Sequence, residues 1–99
     1  MVLNHIVCFD IPAEKVSGYI KWSAETAKPL FEKHPEVRSY DVYQTVAGKP
    51  TFIKEVVYKN MEAFCSMQAK LGQPEIQRVI GQFFSFIINL EIKLILEIA

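Results

Sequence analysis

This chain has little with which to hold a metal ion, a phosphate group or a polyanion. Its 99 residues include two cysteines and two histidines. Cys8 and Cys65 are far apart, without CxxC spacing, and His5 and His34 have no cysteine or carboxylate at ligand spacing. No metal centre is expected. The four glycines form no phosphate-cradling loop, and neither a nucleophile elbow nor a paired-carboxylate motif occurs. Neither sign of charge is in excess, with 11 basic and 11 acidic residues and no long run of either. That removes the electrostatic footprint expected of a nucleic-acid or anionic-membrane partner. The start, Met1-Val2-Leu3-Asn4-His5, has no basic segment leading into an apolar one, so no signal peptide is expected. Asn89, Glu91, Lys93 and Glu97 interrupt the C-terminal apolar run too often for a membrane helix. The cysteines read as buried free thiols of a cytoplasmic protein, with a disulfide or a reactive thiol as alternatives.

Apolar residues, by contrast, are abundant. They make up 51% of a chain whose length fits one domain, residues 1–99. The surplus fits a protein that hides part of its surface in a partner. From Phe84 to Ile98 every even position is apolar, while the odd positions are mixed. That period of two predicts a strand with one buried face. A strand of about 15 residues spans roughly 50 Å, against a radius of gyration of roughly 13 Å for a domain this size. It is expected to overhang its own domain and to need a second copy as cover.

The other elements follow from their spacing. Val2 to Ile11 reads as a first strand that exits through Asp10-Ile11-Pro12. A helix starts near Ala13, with Val16, Tyr19, Ile20, Ser23, Ala27, Leu30 and Phe31 as its buried stripe. Pro29 should kink it, and His34-Pro35 should end it. Val37 to Ala47 and Thr51 to Lys59 form a hairpin joined by Ala47-Gly48-Lys49-Pro50. Asn60 can cap a second helix with an inner face of Met61, Phe64, Met67 and Leu71, and Gly72 suits its C-cap. Pro74 can open a further helical piece facing inward through Ile76, Val79, Ile80 and Phe83. The order β-α-β-β-α-β is that of an α+β, ferredoxin-like sandwich: an antiparallel four-stranded sheet with both helices on one face. The bare face would carry Tyr43, Ile53, Val57, Ile87 and Ile95, which is too apolar for open water.

Several segments carry a resemblance. Asn4-His5-Ile6-Val7-Cys8-Phe9 resembles the first strand of stress-responsive A/B-barrel domains, which often begin with a His-x-Val-x-Phe-like pattern. The segment from His34 to Tyr43, HPEVRSYDVY, is similar to the PGVRSYEV passage into strand two of the wider dimeric α/β-barrel superfamily. Tyr58 to Phe64 looks like its F-x-S-x-E-A entry to helix two. Gln73-Pro74-Glu75-Ile76-Gln77 stands in the place of its HPAHQ-like helix. The resemblance implies a homodimer whose two sheets face each other as a barrel, with a pocket between sheet and helices in each subunit. The superfamily includes cofactor-free, antibiotic-biosynthesis-monooxygenase-like enzymes, muconolactone isomerases, polyketide cyclases and haem degraders. It therefore leaves the reaction open. The cyclases pair a strand-one histidine, matched by His5, with a second histidine, whose place falls here on Ile76 or Gln77. The haem degraders use an asparagine, for which Asn4 can stand, with a tryptophan and a histidine in the second helix. Residues 60–83 hold neither, so haem is not expected and no cofactor is implied.

Candidate chemistry concentrates on His5. On its strand it shares a face with Leu3, Val7, Phe9 and Ile11, so it is either a hydrogen-bonded core residue or a general base lining a pocket. His34, at the helix exit, reads as a dipole-favoured C-terminal histidine. Trp22 falls off the helix-one stripe and is read as packed on a loop, used in an interface or lining the pocket. Tyr40, Tyr43 and Tyr58 are sheet packing, or one of them holds a substrate oxygen. The Phe83-Phe84-Phe86 cluster is core, or an aromatic wall for a planar ligand. If the protein is an enzyme, His5 is the base, Tyr43, Tyr58 or Trp22 orients a small apolar or aromatic substrate, and Phe84 lines its site. The rival expectation is a non-catalytic ligand-binding or stress-associated dimer.

Overall fold

Alternation along the first strand sets the architecture. In β1 (Leu3–Asp10), Leu3, Val7 and Phe9 are buried toward the helices, and His5 shares their face. The computed structural model describes residues 1–49 and 51–98. Pro50, expected in the hairpin turn, lies outside the described residues. β2 (Val37–Gln44), β3 (Phe52–Tyr58) and β4 (Ile88–Leu96) complete an antiparallel sheet in the order β2-β3-β1-β4. The two hairpin strands lie side by side, and β1 runs between β3 and β4. This is the ferredoxin-like α+β sandwich the sequence predicts.

The first helical segment departs from the expected single helix with a kink at Pro29. A 3₁₀ turn (Ala13–Lys15) leads into α1 (Val16–Trp22), a π-helical stretch (Ser23–Ala27) and α2 (Lys28–Glu32). Pro29 cannot donate a backbone hydrogen bond, and its ring crowds the preceding turn. The helix widens just ahead of it, where the Lys28 N–H reaches back five residues to the Ser23 carbonyl. Widening shifts the helical phase of the residues that follow it. Tyr19, Ser23, Ala27 and Leu30 remain buried, but Ile20 is half exposed, and Trp22 turns inward to pack on both halves of the core.

α3 (Met61–Ala69) begins as expected, with the Asn60 side chain accepting the Ala63 N–H at 2.8 Å. Met67 is its buried residue, while Met61 at its first position is exposed. The helix ends before Gly72, which takes no left-handed conformation, so the expected glycine cap is absent. α4 (Pro74–Phe86) buries Ile76, Val79 and Phe83. It also absorbs Phe84 and Phe86, which the period-two reading had placed in the last strand. Ile87 is a connector packed on the core rather than part of a bare sheet face. Asn89 then takes a φ of 56°, and its amide donates to Asp10 at 2.9 Å, fixing where β4 leaves the helix. Thr51 donates to the same carboxylate from its hydroxyl and its backbone.

β4 is thus nine residues long, about 30 Å at strand rise, and fits within the 38 Å long axis. It does not overhang in length. It overhangs in width, because all nine of its residues are exposed. The two rims of the sheet differ. At β2, Lys28 Nζ donates to the Tyr40 carbonyl at 2.6 Å, and the Glu32 carboxylate accepts the Tyr40 N–H at 3.0 Å. Side chains from α2 therefore occupy that edge, a recognised guard against strand addition.

The core has two lobes sharing Trp22 and Val42. Phe9 centres one of them, fully buried with Tyr19, Phe52 and Phe83 around its ring at 5.1–6.1 Å. Phe9→Ala is expected to cost about 3–5 kcal/mol, read as a lower urea midpoint at constant m-value. A loss under about 1 kcal/mol would mean that the site collapses around the gap.

Both cysteines are free; Cys8 is buried as expected, but Cys65 is exposed on α3.

Candidate functional site

Between the sheet and the helices lies a cavity of about 160 Å³. Its floor is the inward face of β1 and β3, with His5, Val7, Lys54, Val56 and Tyr58. Its roof is Trp22, Phe31 and α4, and Leu90 and Ile92 of β4 close one side. A second cleft, about 340 Å³, runs along the β2 rim beside Lys28 and Asp41. Its charged groups are already paired with each other at 2.9 Å, so the cavity between sheet and helices is the better candidate.

The structure brings His5, Tyr58, Trp22 and Phe84 together around this space. The His5 ring stands edge-on to Phe64, with centroids 6.1 Å apart, and Phe64 in turn meets Tyr58 at 5.3 Å. Tyr58 is almost wholly buried, and burial pushes its hydroxyl up to about 12, so it stays protonated. The Trp22 indole N–H is spent on Gln82 Oε1 at 2.8 Å, so this residue offers a ring face rather than a donor. Phe84 is half exposed in the last turn of α4, at the edge of the cavity. Tyr43 does not join them. It pairs with Ile53 and faces the other side of the sheet, 52% exposed. Strand alternation separates it from Tyr40 and Val42. His34 lies in the loop after α2 and does not line the cavity.

One residue went unnoticed in the sequence. Lys54 occupies the inward face of β3 between Phe52 and Val56, opposite Val7. Its ammonium lies 4.2 Å from the centre of the Phe83 ring and 5.6 Å from that of Tyr40. Burial pushes its pKa down to about 8. The signal was available: on the period-two pattern, Lys54 is a charge among inward-facing apolar residues.

Burial, with a smaller contribution from the Lys54 charge, lowers His5 from 6.5 to about 4. Its imidazole is therefore neutral at pH 7 and can accept a proton. The shift has a consequence for stability. The unfolded chain takes up a proton at His5 below about pH 6.5, which the folded chain resists until about pH 4. Stability is fully present above pH 6.5 and declines as the pH falls toward 4. Asp10 and Glu36, held at about 2 by hydrogen bonds to Thr51 and Lys70 respectively, lose their contributions only as the pH falls from about 4.5 toward 2, so they overlap the His5 window at its acid end alone. Urea midpoints should fall between pH 7 and pH 4, and fall less in His5→Gln. Equal slopes in the two proteins would remove this role for His5 burial.

Among the described residues, no group of three or more His, Cys, Asp or Glu side chains converges as a metal site. Nor is any helix among them long and apolar enough to cross a membrane.

No family model matches the chain, and no curated protein matches it in sequence. Solved structures do match in fold. A proposed antibiotic biosynthesis monooxygenase of Deinococcus radiodurans is similar with a TM-score of 0.74 at 16% identity, covering 100% of this chain and 94% of that one. An uncharacterised NIPSNAP domain protein of Burkholderia xenovorans gives 0.77 at 14%, covering 100% and 96%. An ethyl tert-butyl ether D family protein of Bacillus halodurans gives 0.69 at 21%, covering 99% and 100%. The chain thus has the fold of the antibiotic-biosynthesis-monooxygenase-like structures, the group its motifs resemble. Three differently described proteins share that scaffold, so the fold alone selects no reaction.

Proposed function

We propose that the chain works as a cytoplasmic homodimer whose subunits each act, without a cofactor, on a small aromatic or polyketide-like molecule, as an oxygenase, cyclase or isomerase. The observation that carries this reading is His5, held below its ordinary pKa by burial, on the floor of an aromatic-walled cavity open on one side. Such a base can take a proton from a phenol or an activated C–H, while the ring faces of Trp22 and Phe84 and the Tyr58 hydroxyl orient the substrate. Support for the homodimer comes from β4, with Ile88, Ile92, Leu94 and Ile95 all about half exposed, and from the helix-free sheet face that carries Ile53 and Val57. A second copy covering these is the simplest account of so much apolar surface.

The rival reading is a non-catalytic ligand-binding dimer. His5 favours it in one respect, since a base titrating at about 4 is weaker than the ideal for work near pH 7. The place of a second histidine also offers none, because Ile76 is core and Gln77 is exposed. The test is to incubate the purified protein, under air and under nitrogen, with polyhydroxylated naphthalenes and linear polyketones, following oxygen uptake and product formation. Turnover supports the enzyme. Binding without turnover supports the rival, and no binding at all overturns both.

A further inference from the structure

Among the described residues, the lysine in the cavity has no carboxylate partner. Among the described residues, Lys28, Lys33, Lys70 and Lys93 each pair with a carboxylate. Lys15 donates to the Ser85 carbonyl. Lys54 alone turns inward, and its contacts are the faces of two aromatic rings. No Asp or Glu lines the cavity, whose polar groups are His5, Tyr40, Tyr58 and Gln68. Lys54 is partly buried; a cation partly stripped of water and without a carboxylate partner carries a cost, and aromatic faces offset only part of it. The cavity is therefore electropositive within apolar walls, a combination that an anionic ligand completes.

Position adds to this. His5 pairs with Val56 and Lys54 with Val7, so the two are diagonal neighbours on one face of the β1–β3 pair. A neutral imidazole has one N–H to donate. Ammonium and imidazole together can hold the two oxygens of a single carboxylate. A carboxylate fits better than a phenolate, because it arrives ionised and needs no strong base in the resting site. The volume, about 160 Å³, is below the ~300–1,000 Å³ of drug-sized sites, which suits a body of one or two rings.

We propose that the cavity binds a planar aromatic carboxylate, its anionic end between Lys54 and His5 and its ring against Phe83 and Trp22. The inference rests on the cavity being the ligand site and adds the charge of the ligand. It also couples binding to chemistry. A bound carboxylate offsets the Lys54 charge, which is one of the two causes lowering the basicity of His5. His5 is then a stronger base in the complex than in the free protein.

The probes are 2-naphthoate and its uncharged amide, 2-naphthamide, titrated calorimetrically at pH 7 into the intact protein and into Lys54→Met and Lys54→Arg. The expected result is a preference of about tenfold or more for the carboxylate, kept in Lys54→Arg and lost in Lys54→Met. Equal affinity for the two probes in the unmodified protein overturns the proposal but leaves the cavity as a ligand site. So does a carboxylate preference that survives in Lys54→Met. If neither probe binds, the ligand-site reading falls with it. Should Lys54→Met fail to fold, the comparison of the two probes on the unmodified protein still decides.

Discussion

His5→Gln is expected to lower turnover by about 10²–10⁴-fold, the usual contribution of a positioned general base. Folding near pH 7 should be little affected. At that pH the folded chain holds His5 uncharged, so a neutral amide replaces a neutral ring and no charge is lost. The edge-on contact with Phe64 is the main packing sacrificed. The pH profile separates a base from a wall residue. For kcat/KM in the free protein, the rate should fall below about pH 4 as His5 takes a proton. It should fall again above about pH 8 if the Lys54 ammonium holds the substrate. The other titratable groups on the cavity, Tyr40 and Tyr58, are both pushed upward by burial and stay outside that window. Full activity in His5→Gln would end the assignment of His5 as base. An acid limb near pH 4 that persists unchanged in the variant would do the same.

A Leu94→Lys, Ile95→Glu double substitution is expected to turn the proposed dimer into a monomer, reducing the mass in light scattering from twice 11.4 kDa to the single-chain value. The two side chains lie on opposite faces of β4, so whichever face meets a second copy receives a charge. In the single chain both are about half exposed, so the fold itself should change by only about 0.5 kcal/mol. At the interface, each would carry a charge into a desolvated contact, at a cost of several kcal/mol. A monomeric unmodified chain at micromolar concentration would remove the homodimer from the proposal. A double variant that stays dimeric would move the interface away from β4.

Much of this fold could be read from residue spacing because most of its elements are strongly patterned. β1 and β3 alternate cleanly, and Asn60 and Pro74 mark helix starts with side-chain and ring chemistry that acts locally. The boundary between α4 and β4 was less legible, since Phe84 and Phe86 satisfy the period-two pattern of the strand. Val79, Phe83 and Phe86 also satisfy the three-and-four spacing of a helix, and the helix prevailed because Phe83 is needed in the core. The π-helical stretch left no mark in the pattern, and Trp22 faces inward because it lies three residues after buried Tyr19 on the same helical face. Tyr43, which the spacing also assigned to the bare face, lies there and not at the cavity, because alternation along β2 sets it on the face opposite Tyr40 and Val42. Lys54 was missed for a different reason. Its importance lies in what does not surround it, and the absence of a nearby carboxylate is a property of the packed chain.

The unequal rims of the sheet set how far assembly can go. If both were open, β2 of one copy could add to β4 of the next, and the contact would repeat without end as a fibre. Lys28 and Glu32 occupy the Tyr40 backbone and block that head-to-tail option at its centre. If the proposed homodimer forms by strand addition, β4 is the less guarded rim, and it meets its own equivalent. A surface that recognises itself generates a twofold axis and closes after two copies.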